Sequence, residues 1–158
     1  MGTPISIRDY CLEDAQILAE IYFNTIHLVN IKDYTQEQVD VWAPESGLSK
    51  EDWEKRFART NPIVAIVGAN IVGFAEFMPN GHIDCFYTHH KWIGKGVGRA
   101  LMGEIFRRAK TLCIDHIFSE VSITARSFFE KQGFVVLCEQ IIVRKGVELR
   151  NYKMEKRL

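Results

Sequence analysis

Apolar Ile5 and Ile7 alternate with polar neighbours, which predicts a short strand running to about Tyr10. The spacing then becomes helical. Ala15, Leu18, Ala19, Tyr22 and Ile26 recur on one face, and Glu13 and Asp14 precede them, where carboxylates complement the positive end of a helix dipole. Thr35-Gln36-Glu37-Gln38 has the form of a capping box and opens a second helix to Trp42, stopped by Pro44 and Gly47. Ser49 opens a third short helix with Trp53 and Phe57 on one side, positions that suit either core packing or a pocket wall.

The middle of the chain reads as an antiparallel meander. Ile63 to Val67 and Ile71 to Phe77 are runs of β-formers around the turn Gly68-Ala69-Asn70, and Asn80-Gly81 leads into a third run, His82 to Thr88. Strict alternation puts His82, Asp84, Phe86 and Thr88 on one face and Ile83, Cys85 and Tyr87 on the other. The segment from Lys91 to Gly98 then enters a helix with the inward stripe Leu101, Ile105, Ala109 and Leu112. His116 to Glu120 predicts another strand. Ser122 is expected to cap a helix from Ile123 to Gln132, which Gly133 ends. Val135 to Val143 and Val147 to Met154 form a final hairpin around Arg144-Lys145-Gly146. No repeat, low-complexity segment or linker interrupts the pattern, so residues 1–158 read as one domain.

Composition narrows the function. The chain has 20 Lys plus Arg against 20 Asp plus Glu, a net charge of +0, so no global field draws in nucleic acid or a membrane surface. Met1 to Tyr10 has neither the basic start nor the apolar run of a secretory signal, and no run is long enough to span a bilayer; a cytoplasmic protein is expected. Cys11, Cys85, Cys113 and Cys138 are far apart with no C-x-x-C pair, so buried free thiols are expected rather than a zinc site or disulfides.

The chemistry concentrates in Ile93-Gly94-Lys95-Gly96-Val97-Gly98. Glycines at alternate positions let a ligand approach the backbone, and the following helix directs its unpaired N–H groups at the gap, an arrangement suited to phosphate. Lys91, Lys95 and Arg99 add positive charge. A purely structural glycine turn has the same composition. A P-loop needs Lys followed by Ser or Thr, whereas Gly96 follows Lys95; a dinucleotide fingerprint should follow the first strand of a βαβ unit and carry a third glycine that is missing here.

This loop, with Ala100-Leu101-Met102 behind it, resembles the acetyl-CoA pyrophosphate motif Q/R-x-x-G-x-G/A of the GCN5-related N-acetyltransferases (GNAT). Ala125-Arg126-Ser127-Phe128-Phe129-Glu130-Lys131-Gln132-Gly133-Phe134 is similar to the family's second signature, A-x-x-F-Y-E-K-x-G-F, and Met154 to Leu158 resembles its frequent ending. Three positions depart from the pattern. Ile93 stands in place of Gln or Arg, Phe129 in place of the Tyr that protonates the leaving thiolate, and Ser122 in place of a common Asn.

The resemblance implies an α/β fold with a mixed, mostly antiparallel sheet, helices on both faces, and a bulge and splay beside the loop. It implies acetyl-CoA as cosubstrate, without a metal, lying along Phe86, Tyr87 and Thr88, then Ile93, Gly94, Lys95, Gly96, Val97, Gly98 and Arg99, with Ser122 and Phe129 alongside. The acceptor would be an amine of a small molecule or peptide, attacking the thioester directly in a ternary complex; the protein would be a monomer or homodimer. His82 occupies the position resembling the catalytic Glu of histone-type members, and Asp84 shares its expected face; both are candidate general bases, with Glu76 behind them. Tyr152 is the candidate acid, because alternation places Tyr87 away from Asp84. His89 and His90 are expected at the loop entrance, and Tyr34, Trp42 and Trp53 near the acceptor. The competing expectations are a non-enzymatic acyl-CoA-binding domain, suggested by Phe129, and a nucleotide-binding module using the same loop.

Overall fold

A computed structural model describes residues 4–158. Seven strands, β1 (Ser6–Asp9), β2 (Ile63–Val67), β3 (Asn70–Phe77), β4 (His82–Thr88), β5 (His116–Ser122), β6 (Val135–Arg144) and β7 (Val147–Arg157), form one sheet in the order β1-β2-β3-β4-β5-β7-β6. Every neighbouring pair is antiparallel except β4 with β5. That parallel pair needs a crossover, and helix α4 (Val97–Thr111) supplies it.

Helices cover both faces. On one side, α4 and α5 (Arg126–Lys131) bury Val97, Leu101, Ile105 and Phe129 against Ala75, Ile83, Ile117 and Met154. On the other, α1 (Ala15–Leu28) and α3 (Lys50–Thr60) pack Leu18, Ile21 and Phe57 on Val64, Phe74 and Cys85. Between these two helices, α2 (Gln36–Trp42) begins with the expected capping box: the Gln38 N–H donates to Thr35 Oγ1 at 3.1 Å while Gln38 Oε1 accepts the Thr35 N–H at 2.8 Å. Trp53 stacks on Phe57 in the core and lines neither of the cavities described below.

Several sequence expectations need correction. The first strand ends at Asp9 rather than Tyr10. Leu112 lies past the end of α4 and is exposed, because the stripe's last inward turn falls at Ala109. Cys85 is buried, but Cys11, Cys113 and Cys138 are exposed, since all three lie near element ends or on the edge strand. Residues 116–122 remain strand through Ser122, which pairs with Asn151, so helix α5 starts only at Arg126. Ser122 Oγ does accept an N–H, that of Ala125 at 3.1 Å, and thereby closes the intervening turn. No helix among the described residues is long and apolar enough to cross a membrane.

A buried ion pair clamps α3 to the sheet. Glu76 is fully buried on β3 and accepts from Arg56 at 2.7 and 3.1 Å, and from Thr60 Oγ1 at 2.5 Å. Burial alone would raise the Glu76 carboxyl, but the hydrogen bonds from Arg56 and Thr60 outweigh it and hold the group below the ordinary carboxylate range. Because the folded value is depressed, this stabilisation is complete above the unfolded carboxylate pKa of about 4.3 and is lost as pH falls through the lower folded value. Arg56→Ala strands the carboxylate and is expected to cost about 3–5 kcal/mol at neutral pH, read by urea unfolding. Glu76→Gln should flatten the loss of stability between roughly pH 5 and pH 3 that the unsubstituted protein shows; parallel acid limbs would contradict the assignment.

Candidate active site

The sheet opens at its one parallel junction. β4 and β5 pair only through His82 with Phe118 and Ile83 with Ser119, and then diverge. Gly81 permits the close start of this pair, since a side chain there would collide with the His116 carbonyl oxygen. β4 also carries an extra residue: Ala75 faces Phe86, but Phe77 faces Ile83, so three steps on β4 match two on β3.

This bulge overturns the strict alternation expected from the sequence. Ile83 and Phe86 pack into the α4 side of the sheet, whereas Cys85 and Tyr87 pack into the α1 side. Phe86 therefore leaves the face shared by His82 and Asp84, and Tyr87 joins it. The exclusion of Tyr87 on strand parity fails for the same reason.

Beyond the bulge, the ladder leaves one row of backbone groups facing the gap. His89 donates its N–H to the Val72 carbonyl at 2.8 Å, so alternation directs the N–H groups of His89 and Tyr87 toward β3 and those of Phe86 and Thr88 away from it. The Thr88 carbonyl accepts from Thr25 Oγ1 of α1 at 2.8 Å. His89 caps the following turn, its Nδ1 accepting the Lys91 N–H at 3.0 Å. Its ring stacks on His90 at 4.4 Å.

The loop leads this row into a helix terminus. Gly94 and Gly96 have φ of 76° and 90°, the left-handed region that glycine adopts without strain. Gly96 is the N-cap of the 15-residue α4 and offers no side chain to its N–H groups, which remain free for a ligand. Gly98 lies under the Phe128 ring. Exposed Lys95 places its Nζ 5.0 Å from the centre of the Trp92 ring, and Arg99 is exposed beside the loop.

Two cavities meet at the splay. A cleft of about 790 Å³ runs from the loop past Phe86, Tyr87 and Thr88 to Ser122 and Phe129. A second of about 410 Å³ contains Tyr22, Tyr34, His82 and Arg56; Trp42, Asp84, Tyr87, Glu120 and Ser122 border both. Tyr34 ties the rim together: its hydroxyl donates to the Arg150 carbonyl at 2.6 Å and accepts the Ile123 N–H at 3.0 Å.

The candidate residues separate by position. His82 Nε2 lies 2.6 Å from Glu120 Oε2, and its ring stacks on Phe118. Asp84 accepts from Arg56 at 3.2 Å, sharing that guanidinium with Glu76. Phe129 is buried among Phe86, Phe128 and Phe134. Tyr152 lies beneath Arg126 on the α5 side, with the guanidinium carbon 4.5 Å from its ring centre, and lines neither cavity. Burial pushes the Tyr22 hydroxyl up to about 12 and Tyr87 well above its ordinary value, so both phenols stay protonated at neutral pH.

Sequence reasoning missed Glu120 and Thr124. Glu120 reaches His82 only across the parallel junction, 38 positions apart in sequence. Thr124 Oγ1 is buried in the larger cleft without a hydrogen-bond partner among the described residues, available to a ligand.

Residues 30–156, which include the splay and the loop, match the family described as Acetyltransferase (GNAT) domain. The chain belongs to the GNAT acetyltransferase family. This GNAT protein is 28% identical over 150 residues to the Escherichia coli (strain K12) protein named Uncharacterized N-acetyltransferase YafP, covering 95% of the chain and 94% of YafP. It superposes with a TM-score of 0.92 on the GCN5-related N-acetyltransferase "Aminotransferase, Class-II" from Rhodopseudomonas palustris, at 28% identity over 100% of this chain and 99% of that one. The paiA N-acetyltransferase from Thermoplasma acidophilum, solved in complex with coenzyme A, shares the fold with a TM-score of 0.75 at 21% identity, covering 98% of this chain and 99% of that one. The family supports an acetyltransferase enzyme, and the mixed, mostly antiparallel sheet with helices on both faces is the expected GNAT architecture.

Proposed function

We propose that this acetyltransferase uses acetyl-CoA and transfers the acetyl group to a primary amine of a small molecule or peptide within a ternary complex. The observation that carries the reading is continuity: the uncapped start of α4 and the free edge of Phe86 to Thr88 line one cleft, which opens at the splay onto a second cavity holding His82. The Thermoplasma acidophilum neighbour, which has coenzyme A bound, supports the same choice of ligand.

In this reading the N–H groups between Ile93 and Arg99 bind the diphosphate, with Lys95 and Arg99 adding charge at the rim. The pantetheine arm completes the β4 edge at Phe86 and Thr88, between that strand and Ser122. Thr124 supplies a hydroxyl on its flank. This places the thioester at the junction of the cavities, where the acceptor enters from the smaller one.

The amine must lose a proton to attack. His82 is the preferred base: Glu120 fixes its ring, whereas Asp84 is engaged by Arg56. The nitrogen adds to the carbonyl carbon, and the oxyanion is stabilised by a β4 N–H freed at the splay. Collapse expels the CoA thiolate, which takes a proton from solvent: Phe129 has none to give, Tyr152 lies on the α5 side, and the Tyr87 ring is packed against Tyr22 and Phe74 in the α1-side core.

Gly96→Glu places a carboxylate where the diphosphate would lie and should abolish coenzyme A binding in titration calorimetry while circular dichroism stays native; unchanged affinity would remove the loop from the site. His82→Gln should lower kcat for amine acetylation by roughly 100-fold, followed as free CoA thiol, with little change in coenzyme affinity. Full activity in that variant, with loss in Asp84→Asn, would transfer the base role to Asp84.

A further inference from the structure

Two polar groups in the smaller cavity have no part in the chemistry above. The first is Asn151, whose buried Oδ1 has no hydrogen-bond partner among the described residues. It pairs with Ser122 on β5 and Gln140 on β6, which places it in the row of residues that reaches the splay. Leaving such an acceptor unsatisfied is unfavourable, and an incoming N–H removes that penalty.

The second is Arg144. Alternation along the hairpin puts Gln140, Ile142 and Arg144 on the cavity side of β6, opposite Leu149 and Asn151 of β7. Three guanidinium-bearing residues border the cavity. Arg56 is held by Glu76 and Asp84, and Arg150 by Glu139, whereas Arg144 has no carboxylate partner among the described residues. Its charge reaches the interior: burial raises the hydroxyls of Tyr22 and Tyr87, and Arg144 acts in the opposite direction on both.

The cavity is therefore polarised along its length. Asp84 and Glu120 lie at the splay, and Arg144 stands four residues along β6 from Gln140, on the order of 13 Å at about 3.3 Å per residue. Aromatic rings of Tyr22, Tyr34 and Trp42 contribute to the wall. An acceptor that is only an amine leaves the exposed Arg144 guanidinium to solvent. One that also bears a carboxylate satisfies both ends, because arginine's planar fork suits a carboxylate's two oxygens.

Building on the proposed transferase reading, we infer that the acceptor is an amino carboxylate, with its nitrogen against Asn151 and the His82–Glu120 pair and its carboxylate on Arg144. Arg144 is thus a specificity residue, remote from the reacting atoms.

Equilibrium binding to the enzyme–CoA complex tests this independently of turnover. Matched pairs long enough to reach both ends serve as probes: 5-aminopentanoate against butylamine, and 6-aminohexanoate against pentylamine, with O-phosphoethanolamine as a phosphate-bearing control. At least one carboxylate-bearing member should bind at least 10-fold more tightly than its decarboxylated partner. Arg144→Gln should erase that preference, and Arg144→Lys should restore part of it. In turnover, Arg144→Gln should raise KM for the amino carboxylate at least 10-fold while kcat stays within about 2-fold. The inference is overturned if no amino carboxylate binds, if the decarboxylated amines or the phosphate bind better, or if Arg144→Gln leaves the preference intact. Failure of the transferase reading looks different: no coenzyme A binding, or no CoA release with any amine.

Discussion

The site depends on a parallel pairing that stops after two residues. Backbone N–H and C=O groups need partners, and a strand inside a seven-stranded sheet ordinarily finds them on both sides. Here β4 has β3 on one side throughout, but β5 on the other only at His82 and Ile83. The unpaired row at Phe86 and Thr88 is an interior sheet edge, open to an extended ligand without competition from a neighbouring strand. The extra residue at the bulge then turns Tyr87 and Asp84 toward one cavity and Phe86 toward the core behind the other.

Holding such an opening requires bracing from both helical layers. On the α1 side, Thr25 satisfies the Thr88 carbonyl, and the Arg56–Glu76–Thr60 cluster fixes α3 to β3 beside the bulge. On the α4 side, Phe86 is wedged against Phe128 and Phe129. The apolar Phe129 is thereby intelligible as packing: its ring meets three other phenylalanines, and it supports the cleft wall instead of supplying a proton.

Much of this was legible in the chain because its cues are local. The capping box at Thr35, the meander from Ile63 to Thr88, and the glycines entering α4 depend on neighbours a few residues away, and the loop and the Ala125 to Phe134 segment resembled a known family's signatures. What escaped was non-local. A bulge in β4 is defined only against β3, so period-two counting from His82 assigned Phe86 and Tyr87 to the wrong faces. Glu120 gained a role only when the parallel junction brought it to His82, and Ser122 kept its capping chemistry while remaining in a strand, because Asn151 paired with it. Tyr152 was favoured by elimination, and the elimination failed with the alternation on which it was built.

The Tyr34 hydroxyl has a mechanical consequence. By bonding at once to the Arg150 carbonyl on the hairpin and the Ile123 N–H in the turn after β5, one phenol rivets the rims of the two chambers to each other. Both bonds centre on one oxygen, so removing it would release the hairpin and the turn from each other in a single step.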